Sequence, residues 1–278
     1  MANEIAVKDK LFHTAHARVE RASLKARELA QMWNNIAAEH LYKITPKVNR
    51  HGIGELRAIR MSPIPPEFAL QLGEILYQLR AALDSCVYDA AILKSGNNPP
   101  PYHRQLEFSV CAKATDFEGQ CKRRFKPLSQ AVIDVIESVQ PYQTQPVVLD
   151  VNENGVNLNN VVGALNEWAS KDRHRTLHTV SSRTVQIKPR FKLPDRVRVN
   201  RIKVFDLPVM GENELIATFS LSGWSQGMKA AVNPDLAIQI SLDEAALPGV
   251  GTSLVADLSL LGLGVIGIIQ MMEAAARG

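Results

Sequence analysis

Cysteine is scarce in this chain, with three among 278 residues. Cys86, Cys111 and Cys121 are odd in number and lack metal-type spacing, which argues against a disulfide framework and a cysteine-held zinc. A reducing cytoplasm fits that usage. Aromatic residues are also few, at 6%. Residues 1–10 hold no apolar core of the signal-peptide kind. One long apolar run exists, Leu254 to Met272, broken by Asp257, Ser259 and Gln270 and loosened by Gly262, Gly264 and Gly267. That composition predicts a buried terminal helix and not a membrane span. Neither charge sign dominates: 32 basic residues face 28 acidic ones, a net of +4, which admits a nucleic-acid partner without requiring one. Basic residues do cluster locally, at 122–126, 171–175 and 188–201.

Several motifs are missing as well. No G-x-G-x-x-G precedes an acidic residue, and there is no phosphate loop, H-E-x-x-H or nucleophile elbow. No cofactor and no metal are therefore expected. His13 and His16 stand one turn apart, and a metal hydrolase would add His40, but nothing nearby completes a ligand set.

What the chain does have is helical rhythm. Phe12, Ala15, Val19, Ala22, Ala26, Leu29, Trp33 and Ile36 keep a three-four alternation that predicts one long amphipathic helix over Lys8–His40. Tyr42–Thr45 and Leu56–Arg60 flank a Gly-containing turn and predict a hairpin over about 41–61. Leu72, Leu76, Leu79, Leu83 and Val87 then mark the core stripe of a second helix. Leu106–Val110 reads as a short strand. Helices are predicted from Thr115, from Ser129 to Val139, and from Leu158 to His178, with Asn152–Asn160 as a polar turn region. Val185–Lys188, Val197–Val199, Ile202–Val204, Leu215–Phe219 and Ile238–Ile240 alternate between turn residues and predict an antiparallel sheet. The fold class is α+β: a helical portion over 1–182 with an inserted hairpin, a β portion over 183–248, and a C-terminal helix over 249–278 that packs back on the rest, with one compact domain formed by all three as the alternative. The first and last helices are long enough to offer a homodimer surface.

Two polar clusters carry the functional reading. On the flank of the second helix, Tyr77, Arg80 and Asp84 follow each other at three- and four-residue steps, placing Arg80 and Asp84 one turn apart. Downstream, Glu167, Lys171, Asp172, Arg173, His174, Arg175 and His178 share one predicted helix, with Asp172 placed to order Arg175. If the two helices face each other, arginine forks and a titrating imidazole would meet at an anion site. Arg80, Lys171, Arg173 and Arg175 are its anion-binding candidates, with Tyr77, Glu167 and Asp172 as the supporting network. The competing reading is a packing lock, in which Arg80, Asp84 and Asp172 merely fix helices against each other.

Leu79-Arg80-Ala81-Ala82-Leu83-Asp84 within 73–88 resembles the "GDALHNLRSALDHLVY" helix of an uncharacterised bacterial and phage protein family. Ile136-Glu137-Ser138-Val139-Gln140-Pro141-Tyr142 matches its "IESLQPY", and Leu165, Glu167 and Asp172–Arg175 match its "LxELxxxDKHR". The arginine and histidine of that helix are similar to the R-x4-H signature of the HEPN superfamily. This resemblance implies a helical domain of the phage-defence or RNA-processing kind, RNA as partner, and metal-independent ribonuclease chemistry. In that chemistry the arginine stabilises phosphate charge and the histidine serves the ribose 2′-hydroxyl. Here Ser85 stands where the motif histidine belongs, which argues against cleavage at this helix. Any surviving catalysis would fall to Arg80, Asp84, His174 and His178. The expectation is thus a cytoplasmic, HEPN-like protein that binds RNA or another phosphate-bearing partner, with no membrane partner.

Overall fold

A computed structural model describes residues 10–38, 41–151, 154–174, 180–205, 207, 210–242 and 253–278. The fold is α+β, with six α-helices among the described residues. The first is α1 (His13–Ala38), followed by the hairpin β1 (Tyr42–Val48) and β2 (Ile53–Arg60), then α2 (Glu67–Ser95). Next come α3 (Ala114–Arg124), α4 (Gln130–Ser138), the hairpin β3 (Val148–Val151) and β4 (Asn154–Asn157), and α5 (Leu158–His174). Strands β5 (Val180–Lys192), β6 (Arg198–Val204), β7 (Asn213–Ser222) and β8 (Ala231–Leu242) precede the closing α6 (Leu254–Arg277).

The stripe of α2 is buried as its spacing predicts: Leu72, Leu76, Leu79, Leu83 and Val87 are all inaccessible, and burial continues through Ala90 and Ala91. The helix stops at Gly96, whose φ of 68° closes a left-handed cap with its N–H on the Ile92 carbonyl. Helix α6 lies at the centre of the helical layer, against α1, α2, α4 and α5. It is long and apolar enough to cross a membrane, yet Leu261, Val265, Ile268, Ile269 and Met272 are spent in the core. The apolar stripes of α1 and α6 pack against each other within the chain, with Val19 and Leu29 of α1 fully buried.

Burial at α6 has one electrostatic cost. Asp257 is 6% exposed, and its Oδ1 lacks a hydrogen-bond partner. Desolvation raises its pKa to about 6. A folded-state value above the unfolded one, about 4, means the group contributes fully at low pH and loses that contribution as pH rises through 6. Asp257→Asn is therefore expected to stabilise the protein by about 1–2 kcal/mol near neutral pH and to change nothing near pH 4. Thermal melts at the two pH values check this; equal shifts at both would refute it.

The β layer differs from the sequence-based expectation in three ways. The early hairpin does not stay with the helices: β2 pairs with β7, so a four-stranded antiparallel sheet of order β1-β2-β7-β6 draws strands from both sides of residue 182. Val197–Val199 and Ile202–Val204 do not make separate strands, because β6 runs through both with a register shift between Val199 and Arg201. The stretch read as a polar turn region carries a strand, since Asn154–Asn157 forms β4 and pairs with Val148–Val151 as a two-stranded ladder, residues 152 and 153 lying outside the described part. Strands β5 and β8 pair as a second antiparallel ribbon. Phe191 of β5 stacks edge-on at 4.9 Å against Phe219, which covers the inner face of the larger sheet.

Candidate functional site

The residues 106–110 are not a strand but an extended segment held by side chains. Arg80 Nη2 donates to the Phe108 carbonyl at 2.7 Å, and the Phe108 N–H donates to Asp84 Oδ1 at 2.8 Å. Gln140 continues the clasp: its Oε1 accepts from the Cys111 N–H and its Nε2 donates to the Ser109 carbonyl. The apolar alternation there buries Phe108, but its backbone groups are satisfied by α2 and Gln140 instead of a ladder. Gln140 is fully buried, so the clasp has a rigid back.

Over this segment opens a cleft of about 570 Å³. Helix α2 contributes Tyr77, Arg80, Asp84 and Ser85, and α5 contributes Asp172 and Arg173. The two polar helices therefore do meet at one cavity. They approach closely because Gly73 lies beneath Asp172; a Cβ at that position would sit 2.6 Å from Asp172 Oδ2. Arg18, Glu107, Gln120 and Asn166 also line the cleft and escaped the sequence reading. Arg18 had a visible signal, since it falls three residues after Ala15 and four before Ala22, on the α1 stripe itself.

The remaining sequence candidates divide. Lys171 pairs with Glu167 at 2.8 Å, and neither lines the cleft. Tyr77 sits at the rim with an exposed ring and, among the described residues, is not hydrogen-bonded into a network. Ser85 turns its hydroxyl onto the Ala81 carbonyl at 2.7 Å, so it is engaged by its own helix. His174 closes α5, but its side chain is outside the described part, and Arg175 and His178 lie outside the described residues. No group of histidine, cysteine and acidic side chains suited to a metal occurs among the described residues, and His16 pairs instead with Glu273 at 3.4 Å. His40 is outside the described residues.

Electrostatics separate the cleft from an ordinary lock. Arg80 and Asp84 are 3.6 Å apart, yet burial lowers the Arg80 pKa and raises that of Asp84. Desolvation thus outweighs mutual attraction for both partners, and a pair of that kind adds little stability. Glu107 is drawn aside by Arg124 at 2.7 Å. The charged groups lining the cavity are Arg18, Arg80 and Arg173 against Asp84, Glu107 and Asp172, with Glu107 engaged by Arg124 from outside it. Four of the seven buried side-chain polar atoms without a partner among the described residues belong here: Arg18 Nε, Arg80 Nη1, Ser109 Oγ and Asp172 Oδ1. Such atoms are uncommon in folded proteins, and their concentration at one cavity marks it as a place for polar contacts. Set against family models, curated proteins and solved structures, the chain matches none of them, and the reading of this cleft rests on its own residues.

Proposed function

We propose that the cleft binds a phosphate-bearing ligand, with single-stranded RNA as the macromolecular form that the HEPN-like motifs imply. The observation that carries this reading is the convergence of three arginines, two with unsatisfied buried nitrogens, on one solvent-open cavity. Arginine presents a planar fork matched to phosphate. Asp172 supplies an acceptor for a donor on the same ligand, such as a ribose hydroxyl. A volume of about 570 Å³ suits one or two nucleotides and excludes a duplex. Cleavage is not part of this proposal, because Ser85 occupies the motif histidine position and spends its hydroxyl on Ala81.

Arg173 is the discriminating residue. It is exposed, and its Nε contacts only the Ala169 carbonyl of its own helix, at 3.3 Å. Arg173→Gln is expected to leave the melting temperature unchanged and weaken binding of a fluorescent single-stranded oligoribonucleotide by about tenfold, the effect of one lost charged contact. Wild-type affinity should fall steeply between about 50 and about 200 mM salt. Salt-independent binding, or none at low salt, would overturn the reading.

The packing-lock reading keeps one observation in its favour, the double hold on Phe108 by Arg80 and Asp84. Asp172 does not close that lock with Arg80, because no hydrogen bond or ion pair joins them.

A further inference from the structure

Pairing register divides the four-stranded sheet into two faces. Gly54, Leu56, Ala58, Ala217, Phe219 and Leu221 are buried on the inner side. The opposite side faces solvent, and its charge is one-sided. Lys43, Lys47, Arg57, Arg198, Arg201 and Lys203 project there by register, with Glu55 as the acidic residue among them. Six cations against one carboxylate is a surplus of five, larger than the +4 of the whole chain. The positive charge of this protein is therefore concentrated on one flat surface.

The arrangement on that surface is specific. Glu55 is held by Arg57 at 3.2 Å on the same strand, so the centre of the sheet is internally neutral. Thr218 and Ser220 of β7 complete this polar middle. The free cations flank it: Lys43 and Lys47 on β1 along one side, Arg198, Arg201 and Lys203 on β6 along the other. Lys43, Lys47, Arg198, Arg201 and Lys203 are all exposed, and among the described residues none is in an ion pair, Lys203 lying over the Phe205 ring. Three interstrand steps place the two rows about 14 Å apart. That separation is comparable with the roughly 12 Å width of the B-form DNA major groove. One aromatic ring borders this face, Phe205 just after β6, and Lys203 Nζ lies over it at 5.3 Å from the centroid, so its face is covered by a cation and not offered to a base, although base stacking on aromatic rings is the usual means of holding a single strand on a sheet.

We propose that this outer sheet face is a docking surface for double-stranded nucleic acid, its two cation rows lying along the phosphate backbones that border one groove. Recognition is by charge and shape, without base readout. The surface is separate from the cleft, which admits only unpaired nucleotides, and it does not depend on the cleft reading.

The test uses the full chain and a DNA duplex of about 20 base pairs, roughly two helical turns. Affinity is measured as a function of salt for the wild type, for Lys43→Gln with Lys47→Gln, and for Arg201→Gln with Lys203→Gln. All four side chains are exposed, so thermal melts should match the wild type. Each pair of substitutions is expected to weaken binding at least tenfold and to reduce the slope of log affinity against log salt by about two, one per lost phosphate contact. Arg173→Gln should leave the duplex slope as it is, which separates failure here from failure at the cleft. Unchanged slopes in both double variants would overturn the proposal. So would tighter binding of the single strand of the same sequence, or binding to anionic phospholipid vesicles without duplex binding.

Discussion

Arg80→Leu is expected to destabilise the protein by about 2 kcal/mol and to abolish ligand binding in the cleft. Removing one partner of a fully buried ion pair costs about 3–5 kcal/mol, but that figure is an upper limit here. The Asp84 side chain is 41% exposed, so water can take over part of what Arg80 supplied. The loss that remains is the hydrogen bond to the Phe108 carbonyl, which leaves an acceptor unpaired in a buried segment. A drop of about 5 °C in melting temperature follows for a chain of this size. The Phe108 amide should also exchange faster with solvent, because Asp84 no longer has its neighbour to hold it. Replacing both residues, Arg80→Leu with Asp84→Leu, removes the stranded charge but also leaves the Phe108 N–H without its acceptor, so the two effects offset and the double variant should fall within about 1 kcal/mol of the single one. A double variant less stable than the single one by well over about 1 kcal/mol would show that the pair is a net stabilising lock. An unaltered melting temperature for Arg80→Leu would show that the clasp on the 106–111 segment does not hold it.

A larger effect is expected at the junction of α5 and α6. A Cβ added to Gly264 would lie 2.7 Å from both Cγ atoms of Val161 and 3.1 Å from its Cβ. Valine's branched stem cannot swing aside, so relief must come from moving one helix. Alanine alone should be close to neutral or modestly destabilising. About 1–3 kcal/mol of overpacking competes with about 1 kcal/mol of gained helix propensity. Leucine adds three further carbons, and Gly264→Leu is expected to cost more than about 3 kcal/mol. The same displacement would carry α5, and with it Asp172 and Arg173, away from α2, so binding in the cleft should fall in parallel. Gly262 supplies the control on the same helix: Ser23 Oγ lies 3.7 Å from its added Cβ, an ordinary contact. Gly262→Ala should therefore stabilise α6 slightly. Denaturant titration of the three variants checks the ranking, and equal midpoints for Gly262→Ala and Gly264→Leu would refute it.

Much of the helical layer was legible from spacing. The stripes of α1 and α2 and the three-four succession of Tyr77, Arg80 and Asp84 are local properties, and they survive folding because a helix keeps its own register. The strand expected at Leu106–Val110 failed for a non-local reason. Its alternation was sound, but Arg80, Asp84 and Gln140 satisfy its backbone from elsewhere in the chain. The β3–β4 hairpin was hidden because Asn152, Asn154 and Asn157 outweigh Val148, Leu149 and Val156 in any composition-based reading. In β6, Asn200 looked like a break between two strands and proved to be a bulge within one.

For the candidate site, residue types and helix faces were written in the local pattern, as was the position of Arg18 among the α1 stripe residues. Partner choice was not. Glu107 turns to Arg124, Lys171 to Glu167, and Asp172 is left over Gly73 without a hydrogen bond. Each of those outcomes depends on which helices meet and at what distance, and pair energies change with burial more than with sequence spacing. The gathering of cations on one sheet face has the same origin. Lys43 and Arg201 are more than 150 positions apart in the chain, and strand pairing through β2 and β7 is what places them on one surface.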